Sequence, residues 1–322
     1  MTENAAQAEA TVPVESVMRD ELARGDAVAA SIPPILRHLL ANDEHSVFSD
    51  EIIAAMRGMM DHMASQLLDM VSEAAGNPDA RQHSAETISA LTTGFVGHCG
   101  LLSHVHALAL EWQLTNRLQA RMAVDPVLSP LLQALTASSE AQIAARAMAL
   151  MAAQARFIQT QRRMQLPLFE LPGDLLHGVL LTLKATCGED EAIQPHILAV
   201  EQQLRGTFDE GRSRLGLISR LLMGMGGGAM AALSVSHGGV AIFLSALAIA
   251  AGQDRDMIVL ATNESQVARL ALALRAAGLK SDGIAEQFMA IHPDVTLPDR
   301  FDSLASDHAA ALLAGSASFA GS

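Results

Sequence analysis

The chain has 322 residues, of which 50% are hydrophobic and 17% charged, and its formal net charge is −14 at pH 7. This length leaves room for about two domains with substantial cores. An acidic chain without an extended Lys/Arg stripe lacks the basic footprint that phosphate backbones require, which argues against a nucleic-acid partner. The same net charge argues against anionic membrane surfaces, so we expect no membrane partner.

Residue usage predicts an all-α fold. Only 3% of the residues are aromatic, with no Tyr and a single Trp, whereas the helix formers Ala, Leu and Met are abundant. Cys99 and Cys187 have no CxxC context, as is usual in a reducing compartment. The first residues show neither a basic nor an apolar signal region, so we expect a cytoplasmic protein.

The first predicted helices are punctuated by Gly and Pro. A short helix is expected from Pro13 to Arg24, ended by Gly25, and another is expected to start at Pro33-Pro34. Ser49 is a suitable N-cap for a third helix that Gly76-Asn77-Pro78 would end.

That third helix has an apolar stripe at helical spacing. Burial in the core is the leading interpretation of the stripe, and an adaptable, methionine-rich partner-binding face is the alternative. The stripe consists of Ile52, Met56, Met59, Met60, Met63, Leu67 and Met70.

Helical patterns continue over residues 85–122, with a kink expected near Gly94, Gly97 and Gly100, and over residues 140–165. Pro167 and Pro172 then mark the predicted domain boundary. We expect a disordered N-terminus over 1–12, a helical bundle over 13–166, and a HEAT-like array of short antiparallel helices over 167–297. Residues 298–322 would form a helical or loose tail.

The run from Leu221 to Gln253 contains no Asp, Glu, Lys or Arg. It exceeds the roughly 20 apolar residues that span a bilayer, but six glycines divide it into short pieces. We interpret it as two buried helices joined by a turn. A membrane-inserting protein that uses residues 221–253 is an alternative.

A family resemblance is carried by residues 220–292. The segment MAALSVSHGGVAIFLSALAIAAGQDRDMIVL, with a turn leading into a Phe-containing helix at Val240 to Ala251, is followed by RAAGL at Arg275 to Leu279. This region resembles the DUF2336 family of uncharacterised alphaproteobacterial proteins. The resemblance implies an all-helical, HEAT-like cytoplasmic protein and carries over no catalytic residues.

Two glycine motifs match catalytic or nucleotide-binding patterns without their context. Gly224 to Ala229 satisfies GxGxx[G/A], but a helical pattern precedes it and no acidic ribose ligand follows about 20 residues later. His237-Gly238-Gly239 resembles a hydrolase oxyanion loop, yet the chain has no GxSxG elbow. We interpret the first motif as a flexible interhelical hinge or a site of close helix packing, and the second as a turn.

The richest histidine region contains His98, His104 and His106. A helical metal site needs ligands on one face, and His104 and His106 diverge by roughly 160° around a helix. We therefore predict no metal and no cofactor. A metal, haem or small-molecule site assembled in the helical core, with these three histidines as its candidate ligands, remains an alternative.

Four residues are candidates for contacting a partner. Trp112 is the single tryptophan, and Arg156, Arg162 and Arg163 form a basic cluster at a helix C-terminus. The structural interpretations are a core Trp and cations that offset the helix dipole. The functional interpretations are an interface anchor and a docking site for an acidic partner helix.

The leading hypothesis is a non-enzymatic, cytoplasmic helical protein that binds a protein partner or forms a homo-oligomer. No catalytic constellation is apparent, and apolar residues far outnumber charged ones, which predicts exposed patches.

Overall fold

The computed structural model describes residues 13–41, 50–77, 83–188 and 191–316. Helices account for 81% of the structure and the described residues include no strand, which confirms the predicted all-α class. The HEAT-like arrangement stays a prediction. The α-helices are α1 (Val14–Ala41), α2 (Asp50–Ala74), α3 (Ala85–Gly97), α4 (Cys99–Met122), α5 (Pro130–Thr136), α6 (Ala141–Arg162), α7 (Gly173–Cys187), α8 (Gln194–Thr207), α9 (Arg214–Met225), α10 (Val235–Gly238), α11 (Val240–Ala251), α12 (Arg255–Leu260), α13 (Val267–Ala276), α14 (Ser281–Ile291) and α15 (Ser306–Gly315).

The expected break between two N-terminal helices is wrong, because α1 runs continuously through Gly25 and the two prolines. Gly25 permits a close approach instead: a Cβ there would lie 2.9 Å from Oε1 of Gln266, whose Nε2 donates a hydrogen bond to the Gly25 carbonyl. Met18, Leu22 and Leu36 of α1 are buried as well. This tertiary packing outweighs the local preference of Gly25 and the two prolines to end a helix. The predicted cap Ser49 and residues 1–12 lie outside the described residues.

The methionine stripe of α2 is buried. Met56, Met59, Met60 and Met63 are fully inaccessible to solvent, which confirms the core interpretation of the stripe. The helix ends where predicted, and Gly76 adopts a positive φ of 78°, a conformation that glycine accommodates without strain.

The kink expected within residues 85–122 is a complete break. His98 separates α3 from α4 and caps the second helix, since its Nδ1 accepts a hydrogen bond from the Leu101 backbone N–H at 3.1 Å. Helix α6 agrees with the helical pattern predicted over residues 140–165 within a few residues.

Two hydrophobic clusters form the interior. The N-terminal core is built mainly from α2, α3, α7 and α8, and the C-terminal core mainly from α5 and α9 to α15. The long helices α4 and α6 enter both. Because α7 and α8 pack into the same core as α2 and α3, the cores divide the chain differently from the expected boundary at 166/167.

The tail after Pro298 is helical in its described part. Ala309 and Leu313 on α15 are buried in the C-terminal core, and α15 packs against α13. Residues 317–322 of the predicted tail lie outside the described residues.

The expectation of two buried helices within 221–253 is only half right. Helix α11 is buried along most of its length, but the preceding 3-10 segment Gly226–Leu233 and the end of α9 are largely exposed. The exposed fractions of Met223 and Met230 are 80% and 55%. Arg214–Leu233 is long and apolar enough by length and composition to cross a membrane, although only 22% of its apolar window is buried.

A substitution at Gly58 measures how tightly α2 packs against Met164. A Cβ at Gly58 would lie 2.6 Å from Cβ and 2.9 Å from the carbonyl oxygen of Met164. We expect Gly58→Ala to lower the free energy of unfolding by about 1–3 kcal/mol, although Ala is the better helix former by about 1 kcal/mol. Urea denaturation measures the change.

Gly206 of α8 provides the matched control, because a Cβ there meets no atom within 4 Å. Gly206→Ala should leave the free energy of unfolding unchanged or raise it slightly. Equal effects of the two substitutions would contradict the close packing of α2 on Met164.

Candidate functional site

The exposed aromatic ring of Phe169 lies between two cavities. Phe169 is 52% exposed, and it and Arg156 line both cavities, whose volumes are about 230 Å³ and 620 Å³. The smaller cavity lies between α6 and the start of α9, and the larger one extends towards the end of α8. We refer to these two cavities and Phe169 as the Phe169 groove.

Local sequence explains why Phe169 is exposed. Pro167 precedes the 3-10 turn Leu168–Glu170, and this turn buries Leu168 and Leu171 in the N-terminal core. Phe169 is thereby left facing solvent between two anchored leucines. The predicted domain boundary is thus a rigid turn that presents an aromatic side chain.

The acidic side chains of the groove are already engaged. Oε2 of Glu170 accepts a hydrogen bond from the Arg214 backbone N–H at 2.7 Å, and Oδ1 of Asp209 accepts one from Gly211 at 3.0 Å. Within the described part of the chain, the guanidinium groups of Arg156 and Arg163 form neither hydrogen bonds nor ion pairs. The groove therefore combines apolar side chains with two guanidinium groups that have no direct carboxylate partner there.

Charge is segregated along the chain in a way that marks this surface. Residues 141–169 and 211–253 contain no Asp or Glu, although the whole chain has 35 of them. Because α6 and α9 pack against each other, the two acid-free stretches adjoin in space. The charged residues of these stretches are Arg146, Arg156, Arg162, Arg163, Arg212, Arg214 and Arg220.

A buried ion network lies beneath the groove. Glu111 on α4 is fully buried, and its carboxylate accepts two hydrogen bonds from Arg214, at 2.6 and 2.9 Å, and one from Arg255 at 2.9 Å. The Arg214 guanidinium also stacks over the Phe157 ring, with 3.6 Å from Cζ to the ring centroid. Ser245 accepts a further hydrogen bond from Nε of Arg255 at 2.9 Å.

The network sets the protonation state of Glu111. Burial alone would raise the pKa of this carboxyl, but the attraction of Arg214 and Arg255 outweighs it and lowers the pKa from 4.5 to about 2. The network therefore holds one anion between two cations and ties α4, α9 and α12 together. Its chemistry is structural, because Glu111 is enclosed and fully paired.

The three candidate histidines do not converge. His98 caps α4, whereas Nδ1 of His104 pairs with Asp256 at 2.8 Å. Burial lowers the pKa of His106 from 6.5 to about 4, and nearby Asp256 offsets this only in part. In the described ranges, no group of three or more His, Cys, Asp or Glu could hold a metal ion.

The four candidate partner residues occupy different environments. Arg156 and Arg163 line the Phe169 groove, whereas Arg162 is exposed outside its lining. Trp112 is half-buried against the N-terminal core. The sequence analysis missed Phe169, and the acid-free stretches are the signal that would have located it.

Neither glycine motif has the structural context of its catalytic or nucleotide-binding counterpart. Gly224 to Ala229 joins the end of α9 to the 3-10 helix Gly226–Leu233, and no strand precedes it in the described residues. Gly239, with a φ of 76°, separates α10 from α11.

Comparison with protein-family models, curated proteins and solved structures gives no match to this chain. The resemblance to the DUF2336 family therefore stays a prediction.

Glu111 is the most sensitive position in the buried network. Replacing Glu111 by Gln leaves two guanidinium groups without a carboxylate in the interior, so we expect the free energy of unfolding to fall by about 3–5 kcal/mol. Glu201, whose ion pair with Arg205 is solvent-exposed, is the control, and Glu201→Gln should cost less than about 1 kcal/mol. A small effect at Glu111 would show that the network contributes little to stability.

The lowered pKa of His106 predicts that the stability of the fold depends on pH. Because the pKa of His106 is lowered from 6.5 to about 4 in the folded protein, the unfolded chain binds the proton more readily between these values. Stability should therefore decrease as the pH falls from 6.5 towards 4. Urea midpoints measured across this range should vary less with pH in His106→Gln than in the wild type, and an unchanged slope would contradict the assignment.

Proposed function

We propose that this protein is a non-enzymatic, cytoplasmic binding protein that docks a protein partner in the Phe169 groove. The observation that carries the proposal is an exposed aromatic ring between two cavities lined by Arg156 and Arg163, whose guanidinium groups have no carboxylate partner in the described residues of an otherwise acidic chain. Buried aromatic and Arg side chains dominate the binding energy of many interfaces.

The chemistry of the groove indicates the class of partner. Apolar side chains of the partner would cover Phe169 and enter the two cavities, and carboxylates would pair with Arg156 and Arg163. An amphipathic helix with Glu or Asp beside its apolar face meets both requirements. A second copy of this chain, whose net charge is −14, also belongs to this acidic class.

The turn that holds Phe169 supports a preorganised site. Leu168 and Leu171 are buried on either side of Phe169, and Glu170 is fixed to the start of α9. Little conformational freedom would be lost on binding, which favours affinity.

Native mass spectrometry of the protein purified gently from its host tests the proposal. A polypeptide adduct is expected, and titration with that polypeptide should show about tenfold weaker binding for Phe169→Ala, because the variant loses its aromatic anchor. Arg156→Glu should weaken binding similarly and make it less sensitive to salt.

Two exposed positions outside the groove serve as matched controls. Leu198 on α8 is 47% exposed, and the side chain of Arg24 is 69% exposed. Leu198→Ala and Arg24→Glu should leave binding unchanged. A bare monomer, an adduct that is only a small molecule, or a complex unaffected by both groove variants would overturn the proposal.

A further inference from the structure

The docking groove leaves one prominent apolar surface unexplained, the turn between α9 and α10. Met223 and Met230 project into solvent with exposed fractions of 80% and 55%. Exposed glycines lie between them at positions 224 and 226–228. We refer to residues 223–230 as the methionine turn.

Folding does not account for the exposed apolar residues of this turn. Helix α9 already buries Ile218, Leu221 and Leu222 in the C-terminal core. The segment Arg214–Leu233 nevertheless has a mean hydropathy of 1.3, and only 22% of its apolar window is buried. Transfer of a Met side chain out of water has a favourable free energy. A surface that keeps two of them exposed is therefore a candidate for contact with another apolar phase.

A cation lies beside the methionine turn, in a part of the chain where residues 141–169 and 211–253 contain no Asp or Glu. A Cβ on Gly224 would lie 3.2 Å from Nη1 of Arg146, which places that guanidinium at the turn. Arg146 forms no ion pair in the described part of the chain. The guanidinium of Arg220 points away from the turn, because it lies against Gly211 before the start of α9 and forms a 3.6 Å ion pair with Asp209.

We propose that the methionine turn docks on the surface of an anionic lipid bilayer. Met223 and Met230 would enter the boundary between headgroups and acyl chains, and Arg146 would contact lipid phosphates. A bilayer interface requires only apolar side chains next to cations. The glycine-rich turn, with Met223 and Met230 exposed and Arg146 beside it, offers this combination.

The net charge of −14 does not prevent this contact. At physiological ionic strength charges are screened beyond about 8 Å, so the cationic charge nearest the bilayer determines the local attraction. The total charge of the chain alone predicts repulsion from an anionic bilayer, whereas the charge at this surface predicts attraction.

The geometry favours docking over spanning. Helix α9 has 12 residues, about 18 Å, which is shorter than the roughly 30 Å hydrocarbon layer. Gly226 then breaks the helix with a φ of 51°. Withdrawing α9 from the protein would also remove Arg214 from Glu111 and expose the C-terminal core.

Vesicle flotation of the full chain tests the proposal. The wild type should float with vesicles of phosphatidylcholine mixed with phosphatidylglycerol, and less with phosphatidylcholine alone. The double variant Met223→Glu/Met230→Glu should bind about tenfold less, since it places two charges where two apolar side chains would enter the lipid. Arg146→Gln should reduce the preference for anionic vesicles.

The control Leu181→Glu/Met289→Glu makes the same charge change at two exposed apolar positions elsewhere, 53% and 68% exposed, and should float like the wild type. Phe169→Ala should also float normally, which separates this proposal from the docking groove. Circular dichroism checks that each variant is folded. Absence of wild-type flotation, or equal losses in both double variants, would overturn the proposal.

Discussion

The pairing of one buried carboxylate with two guanidinium groups holds the structure together at its centre. Glu111 lies on α4, one of the helices that enter both cores, and its partners Arg214 and Arg255 are the first residues of α9 and α12. Charges that are removed from water must be paired with good geometry, because an unpaired ion in the interior is strongly destabilising. The start of α9 can therefore adopt few positions relative to α4.

This constraint reaches the surface through α9. The backbone N–H of Arg214 binds Glu170, and Glu170 belongs to the turn that presents Phe169. At its other end, the same helix leads into the exposed methionine turn. The ion network thus determines where two distinct apolar surfaces lie, one concave and flanked by cavities and the other projecting into solvent. The positions of both proposed binding surfaces therefore depend on Glu111, a buried side chain that would not itself contact a protein partner or a bilayer.

Local patterns predicted the helices well and the interior partly. The methionines on α2 recur at the 3.6-residue period of an α-helix, so their spacing predicted one buried stripe. Gly25 was misinterpreted as a helix end, since its local preference for flexibility is outweighed by close packing against Gln266. The prolines at 167 and 172 correctly indicated an interruption, but they mark a turn and both neighbouring segments share a core.

The candidate site was predictable only in part. Arg156 and Arg163 were predicted as partner contacts because they cluster in the sequence. Phe169 was not predicted, because nothing in the residues next to it indicates that its ring is exposed. The ion network was beyond local reasoning, since Glu111 and Arg214 are 103 residues apart. Similarly, the uncharged run from Leu221 predicted burial throughout, but the space available in the C-terminal core accommodates α11 and leaves Met223 and Met230 outside.

By itself, the sequence determined the helical class, the extent of α6, the apolar stripe of α2 and the separation of acidic from acid-free stretches, because these depend on local propensity, periodicity and composition. Only the tertiary structure decided which apolar residues are buried and which charges are paired. Burial and ion pairing depend on contacts between residues distant in the chain, and a core of limited volume leaves some apolar side chains on the surface.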